Sequence, residues 1–249
     1  MAQADSKFVL RLADDHLILG QRLAEWCGHA PTLEEELSHA NIGLDLLGQA
    51  RNLFAYASQL LGGTDEDRLA FLRLEHEYKN VLLVEFPNED FGYSVIRQLF
   101  FSAFMHPYWQ ALTSSADAEL RAIAGQAVKE AAYHVRHSRE WTLRLGDGTE
   151  ESRQRVQTAV DDLWSFTGEL FEVDDLYRQM MEAQVAPDPV SIAPTWRETV
   201  VATLEEATLQ VPTETWMQTG GRVGRHTEAL GHLLTELQYM QRAYPDMAW

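Results

Sequence analysis

The chain has 249 residues, 45% of them hydrophobic and 23% charged, and a formal net charge of −18. The apolar content suffices for a sizeable core and excludes disorder, while the acidity excludes phosphate backbones and anionic lipid, so no nucleic acid and no membrane is expected as a partner. Residues 1–7 are polar, no segment approaches the roughly 18 apolar residues of a membrane span, and the single cysteine, Cys27, cannot form an internal disulfide; together these point to the cytoplasm.

Helical periodicity dominates, and the expected fold class is all-α. The spacing predicts a first helix over 7–26, closed by Gly28 and Pro31, with Cys27 as a small buried hydrophobe. A second helix is expected over 32–61, opened by a capping box of Thr32 and Glu35, with Glu34 to Glu36 on its dipole and Gly62 and Gly63 at its end. A shorter helical stretch follows over 66–84. After the turn at Pro87, Asn88 and Asp90 comes a helix over 91–112, whose Phe100, Phe101, Phe104, Tyr108 and Trp109 read as core. Helices are then expected over 116–145, 151–171, 174–183, 195–209 and 224–243, with 185–194 as an extended connector because it holds Pro187, Pro189 and Pro194. The organisation expected is one helical domain over 1–249, with a core bundle over about 7–146 and a C-terminal elaboration over about 151–249.

The second helix carries the most informative pattern. Ser38, Asn41, Asp45, Gln49, Asn52 and Tyr56 recur at spacings of three and four and so share one face. Leu37, Ala40, Leu44 and Leu47 fill one flank, and Ile42, Leu46, Leu53 and Leu60 the other. A helix apolar on both flanks is expected to be buried. Its polar line would then face a bundle interior, where helical proteins build metal sites.

A two-iron carboxylate centre needs a glutamate from each of two helices and Glu-x-x-His from each of two others, because iron wants hard oxygen ligands plus imidazole. The chain offers Glu-x-x-His once, as Glu36 and His39, off the stripe and within a run already explained by capping. Around 129–141, Glu130, His134, His137 and Trp141 share an edge, but Ala131 stands three residues before His134. On the stripe, Asp45 and Gln49 are four apart, and Leu46 stands three before Gln49. Asp45, Gln49, Glu130 and His134 therefore read as a degenerate site, and Glu36 and His39 as improbable ligands. The expectation is that Asn41, Asp45, Gln49 and Asn52 form a buried polar network, among themselves or with His134.

At this point the chain resembles a known family. The segments LGQRLAEWCGHAP, ANIGLDLLGQARNL, KEAAYHVRHSREWTLRLGDGT, LWSFTGELF and GRHTEALGHLLTELQYMQRAYP are similar to those of C subunits of ring 1,2-phenylacetyl-coenzyme A epoxidases, bacterial multicomponent oxygenases of aerobic phenylacetate breakdown. The resemblance covers nearly the whole length. It implies a ferritin-like four-helix bundle with additional C-terminal helices. It implies no catalytic residue and no cofactor in this chain, which would be a structural subunit. Diiron and the acyl-coenzyme A would belong to a homologous A-type catalytic subunit as partner, with further epoxidase subunits and a reductase.

Elsewhere, residues 219–226 read TGGRVGRH, a glycine-rich turn whose backbone amides, with Arg222 and Arg225, form a weak candidate anion site; a tight interhelical turn is the preferred reading. His226 falls on the face of Leu230, Leu233, Leu237 and Met240 and reads as a satisfied core histidine. No Gly-x-Ser-x-Gly elbow occurs, so hydrolase chemistry is not indicated. Seven tryptophans exceed what the pattern places in a core, and Trp216 and Trp249 are candidate interface anchors. Two rivals stand beside the structural subunit. One is an independent diiron oxygenase using Glu36, His39, Glu130 and His134. The other is a helical protein holding a coenzyme A thioester through Arg222 and Arg225.

Overall fold

The computed structural model describes residues 3–245 and residue 247, and among these there are ten α-helices and no strand. They are α1 (Ser6–Ala24), α2 (Leu33–Leu61), α3 (Glu66–Phe71), α4 (Phe91–Leu112), α5 (Ala118–Gly146), α6 (Glu150–Trp164), α7 (Asp175–Glu182), α8 (Pro189–Glu206), α9 (Glu228–Leu237) and α10 (Tyr239–Ala243). Helices α1 to α8 each start at an aspartate or threonine whose side chain accepts a backbone N–H of the first turn, which satisfies a donor that the helix itself leaves free.

The bundle consists of two helical hairpins. Helix α1 packs along α2 and α4 along α5, while α2 meets α5. His16 of α1 touches Phe101 and Trp109 of α4, with ring centroids 5.5 and 5.3 Å apart. Helix α4 is buried on nearly every side because α6 and α8 cover the faces that α5 leaves open. Its Phe100, Phe101, Phe104, Tyr108 and Trp109 are all core, and Trp196 of α8 donates its indole N–H to the Phe100 carbonyl at 2.9 Å. The apolar core is one continuous cluster from Ala4 to Leu234.

Several expected elements differ. Only Glu66–Phe71 of the 66–84 stretch is α-helical; the rest is two 3₁₀ turns, Glu75–Glu77 and Leu82–Glu85, in a strap whose backbone amides are drawn off to distant carboxylates. The proline-rich stretch is not an extended connector, since α8 begins at Pro189. Proline at the first helical position lacks an N–H that would have had no partner there, Asp188 caps the turn, and Pro194 forgoes one bond on an exposed side. The helix expected over 224–243 is preceded by a 3₁₀ turn, Gly221–Val223, begins only at Glu228 and splits into α9 and α10. Cys27 is exposed rather than buried because it lies beyond the end of α1. Of the tryptophans, Trp109, Trp164 and Trp196 are core, Trp216 is exposed, and Trp249 lies outside the described residues.

Candidate functional site

Helix α2 is not buried on both flanks. Ile42, Leu46 and Leu53 are core, but Leu33, Leu37 and Leu44 are 69%, 56% and 66% exposed. The polar stripe therefore lies at the edge of the α2–α5 contact, and its residues separate. Asn41 and Asn52 are exposed and belong to no buried network, which corrects the expectation for those two. Ser38 bonds back to the Glu34 carbonyl in its own helix. The remaining three reach α5. Tyr56 donates to Asp117, the α5 N-cap, at 2.5 Å; the Gln49 amide donates to Glu130 at 2.7 Å; and Asp45 pairs with the His134 imidazole at 3.0 Å. Asp117 also accepts the Ala4 N–H, so one carboxylate ties the N-terminus, α2 and α5 together.

These residues do not fit two iron ions. Alongside the stripe the α2–α5 seam holds two carboxylates, Asp45 of α2 and Glu130 of α5, and each closes on a neighbour, Glu130 also accepting from Gln126. Where α1 and α4 would each need a glutamate, α1 presents His16, within range of the charge of His134, and α4 presents Phe101. Gln98 of α4 is buried with neither amide atom paired, and His16 Nε2 has no partner. Burial pushes His16 down to about 4, so it is neutral at pH 7 and offers no charge compensation for metal.

One grouping escaped the sequence pattern. Glu35, not Glu36, turns inward. Its backbone N–H takes the Thr32 cap at 3.4 Å, while its carboxylate reaches across to His137 Nε2 at 2.9 Å instead of completing a capping box. His39, one turn on, stands beside it, and one ligand atom from each of Glu35, His39 and His137 lies within 4.8 Å of the others, all three residues being buried. Glu36 is half-buried and outside the group. The signal was available as Glu-x-x-x-His on α2, with both residues on the face that also carries Ile42 and Leu46, but a search for Glu-x-x-His passes over it.

The glycine-rich turn holds an anion that belongs to the chain itself. Glu169 Oε1 accepts the N–H groups of Gly220 and Arg222 at 3.0 and 3.1 Å, and its Oε2 accepts Leu82 N–H at 2.7 Å. The Arg222 guanidinium forks onto both oxygens of Asp15 at 3.1 and 2.8 Å and donates to the Lys79 carbonyl, so it is not free for a phosphate. Arg225 is exposed and stands apart from this pair. Gly221 is required by close approach, because a Cβ there would stand 2.0 Å from the Asn80 carbonyl oxygen. His226 is fully engaged, Nδ1 on Glu85 at 2.6 Å and Nε2 on the Tyr78 carbonyl at 2.9 Å. Both partners are acceptors, so both nitrogens carry hydrogen and the ring is an imidazolium. Burial pulls its pKa down, but the bond to and charge of Glu85 outweigh that and raise it.

The family model described as phenylacetic acid catabolic protein matches residues 1–249. The C subunit of 1,2-phenylacetyl-CoA epoxidase from Escherichia coli (strain K12) is 50% identical over 242 residues, 97% of this chain and 98% of that protein. The helical bundle and both comparisons agree, and the chain belongs to the phenylacetic acid catabolic protein family, whose fold is ferritin-like.

Proposed function

We propose that this chain is the non-catalytic structural subunit of a cytoplasmic phenylacetyl-CoA 1,2-epoxidase, pairing with a homologous diiron subunit that carries the chemistry. The observation that carries the reading is the donor set in the bundle. Two carboxylates, Asp45 and Glu130, each close on a neighbour, and α1 and α4 bring no glutamate. A reductase and further subunits complete the assembly. The partner's place is the outer face of α2, where Leu33, Leu37 and Leu44 stand in water with Asn41 and Gly48 beside them. Burying one leucine fully contributes about 1.5–3 kcal/mol, so this face favours association with a second apolar surface. The chain's contribution to catalysis is thereby indirect, through the fold and position of its partner.

The test is co-purification with the diiron-type subunit followed by iron counting on each separated chain. Iron is expected in the partner, and Leu37→Glu with Leu44→Glu is expected to abolish the complex without lowering this chain's melting temperature. Two irons in this chain with oxygen-dependent turnover in isolation would overturn the reading.

A further inference from the structure

We propose that Glu35, His39 and His137 form a site for a single divalent transition-metal ion of the zinc class, distinct from the position a two-iron centre would take. The three residues come from the first turns of α2 and from the second half of α5, Glu35 and His39 roughly three and two turns before Asp45 on α2 and His137 about one turn beyond His134 on α5. Their donor atoms lie within 4.8 Å of one another, and Glu35 Oε2 and His137 Nε2 are 2.9 Å apart. Donors on one zinc ion at about 2.0–2.1 Å stand roughly 3.3 Å apart, close to the separations of this set.

The set has the chemistry that a metal selects. Two imidazoles and one carboxylate suit zinc, cobalt(II) or iron(II) and are a poor match to calcium or magnesium, which take oxygen alone. His39 is already oriented. Its Nδ1 donates to the Glu35 carbonyl at 3.0 Å, which fixes the tautomer and leaves Nε2 as a lone-pair donor. Metal binding replaces the Glu35–His137 hydrogen bond, and the hydrogen on that axis moves to Nδ1 of His137 or to water. One net negative ligand against a dication leaves a positive site beside buried Arg97, which favours an anion or hydroxide in the fourth position.

The surroundings are apolar and aromatic. The rings of Phe91 and Trp26 lie tilted against His39 at 5.2 and 6.0 Å, Tyr133 lies 5.9 Å from His137, and Trp141 packs edge-on against Phe91 at 5.0 Å. Such a shell strengthens the electrostatic bonds inside it and limits ligand exchange. An ion here would pin the start of α2 to α5 beyond the reach of the Asp45–His134 and Gln49–Glu130 pairs.

The experiment titrates the full-length protein, stripped of metal, with Co²⁺ and Zn²⁺, reading the visible d–d bands of cobalt and their displacement by zinc. One equivalent with a four- or five-coordinate spectrum is expected, with affinity unchanged in His232→Ala, an exposed control. His39→Ala and His137→Ala should remove the spectrum. Should those variants fail to fold by circular dichroism, Glu35→Gln keeps the shape and the hydrogen bond to His137 but loses the charge, and its affinity should fall roughly 100-fold or more, since even outer-shell partners cost 10–100-fold. Absence of the cobalt bands in the wild type, or a spectrum and stoichiometry unaltered by Glu35→Gln, would overturn the proposal. A second equivalent removed by His134→Ala, with the first retained, would uphold it and overturn instead the non-catalytic reading of the bundle.

Discussion

Two regions of this protein hold buried charge, and they hold it differently. In the C-terminal clasp, where residues 220–227 close over α1 and the 78–85 strap, every carboxylate is saturated. Glu169 accepts three backbone N–H groups, Glu85 accepts from Asn80, His226 and both donors of Thr227, and Asp15 takes both Arg222 branches plus Val81 N–H. In the α2–α5 seam, Asp45–His134 and Glu35–His137 are single pairs and His39 Nε2 is left over, while nearby in the bundle His16 Nε2 and both ends of Gln98 are unpaired. Saturation marks residues whose work is to hold the fold, because nothing remains to offer a ligand. Unspent capacity is what a binding site requires.

The largest expected effect follows from breaking the clasp. Arg222→Met leaves Asp15 buried without its counter-charge, and should destabilise the protein by on the order of 3–5 kcal/mol in urea unfolding, whereas Arg225→Ala should stay within about 0.5 kcal/mol. Burial already pushes Asp15 up to about 6 against the pull of Arg222, so the variant should take up a proton there near neutral pH. A loss below about 1 kcal/mol for Arg222→Met would mean that the clasp is not the stabilising region and would end the contrast.

Next in size is the pH response of His226. Its folded pKa is raised above the usual 6.5, so the stabilisation from the imidazolium is fully present below that value and fades as pH rises through the folded one. A hydrogen bond to a charged group contributes about 1.5–3 kcal/mol, and the stability difference between wild type and His226→Gln should shrink as pH rises from the usual histidine value through the raised folded one. His16 in the bundle has the opposite sign. Its pKa is pushed down to about 4, so its contribution is complete above 6.5 and is lost on acidification towards 4. Comparing wild type with His16→Gln over that acid window separates the two regions by the direction of their pH dependence.

Much of this was legible in the sequence, and the gaps have a common cause. Periodicity located α1, α2, α4 and α5 to within two residues at each end because each is long and has a side-chain cap at its start. It could not read the 72–90 strap, whose shape is set by Asp14, Asp15 and Glu169 from elsewhere in the chain. For the same reason the TGGRVGRH turn offered its anion-binding amides but not their occupant, Glu169, which lies 51 residues away in sequence. On α2 the stripe was visible, yet which of its residues meet α5 depends on where the second helix crosses. That crossing buries Gln49, leaves Asn41 and Asn52 in water, and turns Glu35 rather than Glu36 inward.

The smallest expected effect tests the seam most directly, through Asp45. Its side chain is 34% exposed while His134 is 3% exposed, so water screens one end of the pair, and its contribution to stability should lie under about 1 kcal/mol. Asp45→Asn keeps an oxygen that can accept from His134 Nε2 and removes only the charge, which lowers the expected change further. A carboxylate that bound catalytic metal would behave otherwise, because losing its charge would weaken the centre whatever the effect on the fold. In the assembled epoxidase, Asp45→Asn should therefore leave turnover and iron content unchanged while the melting temperature moves little. A drop in turnover at constant melting temperature would make Asp45 part of working machinery, and the seam's unspent donors would then need to be read as the remains of one larger site rather than as a bundle edge with a separate ion at its end.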